Sequence, residues 1–238
     1  MVGIGPGGVS DRTRRAEEAI AESTVVVGYS RYLDLVADLT ERKEVIATGM
    51  TKEVERCRVA LERARRGEVV ALVSSGDPGI YGMAGLVLEL AEKEGASPAV
   101  EVVPGVSSVS AAAARLGAPL MLDFACISLS DLLVPWEVIR ARLEATAAAD
   151  LVVALFNPRS RKRVKQVEEA GAIFLRHRPG STPVGIATDL GAAGEKVVLS
   201  DLDHFLEFEI GMRSVVIIGN RSSRVIQGRF VTPRGYRL

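Results

Sequence analysis

The sequence predicts an α/β protein made of two α/β domains, the second with a partly antiparallel sheet. Three observations predict it. Short β-branched runs alternate with amphipathic stretches of helical length, the rhythm of largely parallel sheets covered by helices. Leu116-Gly117-Ala118-Pro119 puts Gly and Pro punctuation near the middle of the 238 residues, which divides the chain into 1–117 and 118–238. The late apolar runs 196–199 and 214–218 have little helical sequence between them, so part of the second sheet should run antiparallel.

Taken in order, the chain opens on Met1-Val2-Gly3-Ile4-Gly5-Pro6-Gly7-Gly8, a Gly-rich turn with almost no strand before it. Its glycines let the backbone approach a ligand closely and Pro6 stiffens it, with Ser10 or Asp11 as the expected cap of a helix over 11–22. Val25-Val26-Val27 reads as a buried strand and 51–66 as a helix. Val69 to Val73, the most apolar strand of the chain, runs into Ser74-Ser75-Gly76-Asp77-Pro78-Gly79-Ile80-Tyr81-Gly82. A polar, Gly-bearing loop at the carboxyl end of a buried strand is where open α/β sheets bind ligands. There Asp77 either accepts from a ligand or caps the helix expected over 82–94. Residues 100–103 read as a strand leading through Pro104-Gly105-Val106 to Ser107 and Ser108, which either cap the Ala-rich helix 107–116 or present its amides to a ligand.

In the second half, Ser130-Asp131 is a polar pair among apolar residues. It precedes a helix over 135–148 that carries the single Trp, Trp136. That segment is either a capped helix with a core Trp or the rim and wall of a large flat ligand. A strand over 151–156 leads into Asn157-Pro158-Arg159-Ser160-Arg161-Lys162-Arg163-Val164-Lys165, five cations at the start of a helix expected over 160–171. A solvated helix face explains the run, and carboxylate capture by Arg159 or Arg161 is the sharper alternative. Runs at 184–187 and 214–218 complete the buried strands.

Composition excludes several function classes. The 30 Lys+Arg balance 30 Asp+Glu, which removes the electrostatic case for a nucleic-acid or anionic-membrane partner. Cys57 and Cys126 stand in no metal or redox spacing, and His177 and His204 do not cluster with them, so no metal site and no His-centred triad is expected. No apolar run approaches the ~20 residues of a membrane span, and no signal segment opens the chain, so a cytoplasmic protein is expected. Gly3, Gly5 and Gly8 literally satisfy G-x-G-x-x-G, the mark of a nicotinamide-dependent dehydrogenase. The context fails, because the strand at 25–27 ends in Gly28-Tyr29 rather than in the acid that holds a ribose hydroxyl.

Together these segments resemble the S-adenosylmethionine-dependent tetrapyrrole (corrin/porphyrin) methyltransferases. The resemblance rests on Val2 to Gly7, Gly76 to Gly82 and Val103 to Ser108 in that order, and it covers essentially the whole chain. Further segments are similar to the branch that methylates C17 of precorrin-3B or its cobalt counterpart in cobalamin synthesis, with contraction of the macrocycle. These are Val26 to Tyr29, Thr48-Gly49-Met50, Ser128 to Leu133, Phe156 to Ser160, Ile218 to Asn220 and Thr232 to Tyr236. Another methylase of the pathway, acting at C11, is the near alternative. Two places depart from the family pattern. Arg12-Thr13 stands where Leu-Thr is common, and Ala187-Thr188-Asp189-Leu190-Gly191-Ala192 stands for an Ala-Arg-Asn-x-Gly-Arg-like stretch.

The resemblance implies S-adenosylmethionine folded in a cleft between two domains, a tetrapyrrole substrate and a homodimer. By matching motifs it implies cofactor contacts at Pro6, Gly76, Asp77, Ile80, Ser107, Ser108, Phe156, Asn157, Ala187 and Leu190. Ring contraction adds proton transfers, for which Tyr29, Ser130 and Asp131 are the candidates. Structural roles compete for each: Tyr29 as a strand-end core residue, Ser130-Asp131 as a helix cap.

Overall fold

The computed structural model describes residues 1–95 and 98–237, so Leu238, the last residue of the second expected domain, lies outside the described residues. The chain forms two compact units, Met1–Ser108 and Val109–Leu238.

The first unit runs β1 (Val2–Gly3), α1 (Arg14–Glu22), β2 (Val25–Tyr29), α2 (Ser30–Asp34), β3 (Glu44–Thr48), α3 (Glu53–Arg65), β4 (Val70–Ser74) and α4 (Ala84–Lys93). Its sheet has the order β1-β4-β2-β3 and every pair is parallel. Successive side chains of a strand point to opposite faces, and here both faces are covered. Val25, Val27 and Leu72 pack with Cys57 and Leu61 of α3 and Val87 of α4. Val26, Ala71 and Val73 pack with Ile20 of α1 and Leu33 of α2. That double burial is why these strands read as unbroken apolar runs; each such side chain contributes about 1.5–3 kcal/mol. Thr13, not Ser10 or Asp11, caps α1: its Oγ1 accepts from the Ala16 amide at 3.1 Å, because Val9–Asp11 is taken up by a 3-10 turn. The strand expected at 100–103 reduces to one bridge, Val103 beside Val2. With β1 only two residues long, there is no ladder for it to follow.

The second unit contains α5 (Ser108–Leu116, beginning at the division), β5 (Gly117–Ala118), β6 (Phe124–Ser128), α6 (Trp136–Ala148), β7 (Val152–Phe156), α7 (Lys165–Leu175), β8 (Pro183–Thr188), β9 (Lys196–Asp201), β10 (Ser214–Ile218), β11 (Arg224–Ile226) and β12 (Arg229–Val231). The main sheet has the order β6-β7-β10-β8-β9. Only β6 and β7 run parallel, and the expected antiparallel part takes in β7–β10, β10–β8 and β8–β9. Leu155, Ile186 and Val216 pack with Leu143 of α6 and Phe174 of α7 in one core. Helix α7 begins at Lys165 rather than 160, because a turn consumes the residues before it. The Ser160 amide donates to the Arg163 carbonyl at 2.8 Å, and the Arg163 amide donates to Ser160 Oγ at 3.1 Å. Among the described residues no helix is long and apolar enough to cross a membrane.

Candidate active site

All strands of the first sheet are parallel, so their carboxyl ends share one edge, and three loops interlock there. The Gly3 amide donates to the Val103 carbonyl and the Ile4 amide to Ser74, each at 3.0 Å; Gly5 and Gly76 exchange amide-to-carbonyl bonds of 3.3 and 2.7 Å. This closeness requires glycine. A Cβ on Gly3 would stand 2.6 Å from Pro78 Cδ and 2.7 Å from both the Gly105 nitrogen and the Gly76 oxygen. Gly5 and Gly76 also hold φ of 76° and 62°. Asp77 binds the loops together: Oδ1 accepts from the Gly79 amide at 2.8 Å and Oδ2 from the Gly105 amide at 3.1 Å. It does not cap α4, whose N-cap position is Met83. Around this knot Pro6 is half-buried, Ser107 is buried and Ser108 is the first residue of α5. Ile80 and Tyr81 show 38% and 54% of their surface, an apolar margin in an otherwise polar loop.

Tyr29 ends β2 half-buried, edge-on to Tyr32 with ring centroids 5.2 Å apart. The Arg56 guanidinium lies 5.9 Å from its ring centre. Arg56 is buried, donates to Thr48 Oγ1 at 2.6 Å and to the Gly49 carbonyl at 2.8 Å, and meets no carboxylate among the described residues.

In the second unit β6, β7 and β8 point the same way, so their carboxyl ends also lie on one edge. The structure brings Phe156, Asn157 and Ser130 together there. Asn157 Nδ2 donates to Ser128 Oγ at 3.1 Å, and the Ser130 amide donates to the same oxygen at 3.2 Å. Asn157 holds φ at 50° immediately before Pro158. Left-handed backbone in a non-glycine residue costs on the order of 1–3 kcal/mol and persists only where its surroundings enforce it. Asp131 is exposed and accepts from Gln166 Nε2 of α7 at 2.9 Å. The Ser130-Asp131 pair is not a helix cap, since α6 starts only at Trp136. Ala187 and Leu190 are buried at the end of β8, flanking Asp189 at φ 52°. Of the six non-glycine residues with left-handed φ among the described ones, Thr51, Tyr81, Asn157 and Asp189 lie in the loops after β3, β4, β7 and β8 of the two larger sheets.

Several residues that hold these loops were not anticipated. Arg163 is the one buried cation of the 159–165 run. Arg213 pairs with Asp189 through both carboxylate oxygens. Glu195 accepts from the Gly191 amide at 2.7 Å and from Arg115 at 2.8 Å, and these bonds hold its carboxyl below the usual carboxylate range. Arg159, one of the two candidates for carboxylate capture, donates to Glu168 at 3.0 Å, and Arg161 is exposed. Trp136 packs beside the core and donates to Glu169 at 2.8 Å, which is the structural alternative rather than an aromatic wall. Both departures from the family pattern carry ion pairs. The Arg12 side chain is 2% exposed and forks onto Asp38 with two bonds of 3.0 Å, and Asp189 takes Arg213. Among the described residues no group of three or more His, Cys, Asp or Glu is placed to hold a metal ion. A hollow of about 520 Å³ between α6 and α7 is walled by charged side chains, with Arg176 already on Glu144. Another of about 360 Å³ opens beside β8 at Thr188, Asp189 and Met212.

The model of the Tetrapyrrole (Corrin/Porphyrin) Methylases matches residues 1–205. The chain belongs to that family. Among curated relatives, a probable cobalt-factor III C(17)-methyltransferase of Salmonella typhimurium is 47% identical over 100% of this chain and 99% of its own. A cobalt-factor III methyltransferase of Priestia megaterium is 45% identical over 99% of this chain, which spans only 44% of that longer protein. Among solved structures, the methyltransferase CobJ superposes with a TM-score of 0.92 at 34% identity over 98% of both chains. The uroporphyrin-III C-methyl transferase of Thermus thermophilus, solved with S-adenosyl homocysteine, superposes with 0.69 at 24% identity over 92% of this chain and 90% of its own, a likeness of fold. The two-domain α/β class and the family read from the sequence are thereby borne out.

Proposed function

We propose that this chain is a cobalt-factor III or precorrin-3B C17-methyltransferase of cobalamin biosynthesis, moving a methyl group from S-adenosylmethionine to C17 of the macrocycle. The observation that carries the reading is the near end-to-end match, at 47% identity, to a relative named for that reaction. Family membership supports the cofactor class. The residues on the first edge suit it. The half-exposed Ile80 and Tyr81, held beside the interlocked glycine loops, offer an apolar margin suited to a compact adenosyl thioether. A dinucleotide fits poorly, because β2 ends in Gly28-Tyr29 with no ribose-binding acid.

Within this reading the cofactor is held at Pro6, Gly76, Asp77, Ile80, Ser107, Ser108, Phe156, Asn157, Ala187 and Leu190. Asp77 contributes chiefly by shaping its loop, since two backbone amides already occupy its carboxylate. The sulfonium supplies an already activated methyl, so the protein's share is to align donor and acceptor and exclude water. Tyr29, Ser130 and Asp131 are the groups offered for proton transfer during ring contraction. A cytoplasmic homodimer completes the reading.

Calorimetric titration with S-adenosylhomocysteine and, separately, with NAD tests the cofactor: binding of the first and none of the second is expected. Incubation with S-adenosylmethionine and cobalt-factor III or precorrin-3B, followed by mass spectrometry, should show the gain of one methyl group. Binding of NAD alone, or no methylated product, overturns the assignment.

A further inference from the structure

Arg163 is 6% exposed and meets no carboxylate among the described residues. Its Nη2 donates to the Asn157 carbonyl at 2.7 Å and lies 3.9 Å from Met212 Sδ, while its buried Nε has no hydrogen-bond partner among the described residues. A guanidinium stays charged inside a protein, and burying it without a counterion is costly. A Met would pack the space of the aliphatic stem without that cost. Packing therefore does not account for the cation, whereas the group it holds does. Asn157 carries a left-handed φ in front of a proline: asparagine tolerates that backbone better than most residues, but Pro158 biases the residue before it towards extended backbone. Arg163 fixes the carbonyl of that residue from within the turn formed by Ser160 and its own backbone. From Asn157 the restraint passes through Nδ2 to Ser128 Oγ, and that oxygen also receives the Ser130 amide.

We propose that Arg163 is a positioning residue of the methyltransferase: it enforces the left-handed turn at Asn157 and, through Ser128, sets Ser130. The proposal rests on the cofactor reading given above. Arg163 need not touch the ligand; it acts by holding the loops that do.

The test is a double-variant cycle read by calorimetric titration with S-adenosylhomocysteine, with circular dichroism and Tm recorded for each protein. Arg163→Met should weaken binding by about tenfold, because a misplaced loop loses its contacts. Glycine adopts left-handed φ without strain, so in the Asn157→Gly background the same change should cost less than about threefold. A purely structural role lowers Tm but gives equal binding losses in both backgrounds, and that result overturns the proposal. So does parent-like affinity in a folded Arg163→Met. If that variant does not fold, Arg163→Lys, which keeps the charge and one donor, carries the same comparison: a smaller loss in the parent background, none in the Asn157→Gly background, and equal losses again overturning it. A parent protein that binds no S-adenosylhomocysteine defeats the cofactor reading itself, a result separate from a parent that binds and variants that do not differ.

Discussion

The loop edges of the two units reach fixed shapes by different means. In the first, peptide groups press directly on one another: Gly3, Gly5, Gly76 and Gly105 have no side chains in the way, and one carboxylate, Asp77, ties the result. In the second, side chains do the holding: Arg163 on Asn157, Asn157 on Ser128, Arg213 on Asp189, Arg115 on Glu195. The first edge is thus intolerant of an added atom at Gly3, Gly5 or Gly105. The second is open to graded change, since each brace can be weakened singly.

The largest effect expected from that contrast is Gly105→Ala. The new Cβ would run into the Gly76 carbonyl oxygen and approach the Gly3 carbonyl carbon and oxygen to 2.7 Å, and backbone on both sides has nowhere to go. Overpacking of this kind costs about 3 kcal/mol, roughly 6–12 °C in Tm for a chain of this size. Thermal unfolding measures it, and titration with S-adenosylhomocysteine should show no binding. A Gly105→Ala protein with parent Tm would mean that the knot is looser than these distances require.

Asp77→Asn comes next. The amide keeps one acceptor oxygen and turns the other position into a donor facing a donor, the Gly105 or the Gly79 amide. Losing a charge-assisted bond and stranding a partly buried N–H costs about 1–3 kcal/mol. Urea unfolding should show the lower midpoint with an unchanged m-value. Binding that falls while stability is untouched would instead place the Asp77 carboxylate on the ligand.

The same contrast explains what could be read in the sequence. The glycine loops were legible because interlocked backbone demands glycine at fixed positions, and that demand is local. Strands β2, β4, β7, β8 and β10 were legible because burial on both faces makes them apolar throughout. β3 and β6 were missed because both are edge strands, half-exposed, with Glu44 and Thr48 or Cys126 and Ser128 breaking the run. The braces of the second unit left no local mark. Arg163 is one of five cations in seven residues, and nothing nearby distinguishes the buried one. Arg213 and Asp189 are 24 positions apart, Arg115 and Glu195 80 apart, so only the folded chain pairs them. The Arg12 fork on Asp38 was hidden for the same reason.

The smallest expected effect concerns Glu195, and its sign follows from its bonds. The Gly191 amide and then Arg115 favour the carboxylate, so its folded-state pKa lies below the ordinary value of 4.5. A group depressed in this way contributes fully above its unfolded pKa, and the contribution is lost as pH falls through the folded value. The brace should therefore be complete at pH 7 and drain away below about pH 4.5. Glu195→Gln is neutral at every pH and serves as the reference. At pH 7 the parent should bind S-adenosylhomocysteine better by less than about threefold, because both partners are partly exposed to solvent and such pairs are weak. The advantage should shrink to nothing on acidification, and should shrink with added salt at pH 7 as well. A ratio that grows as pH falls would show that the loop after β8 is held by something other than this carboxylate, and the picture of an edge braced by individually weak ionic contacts would then fail for that loop.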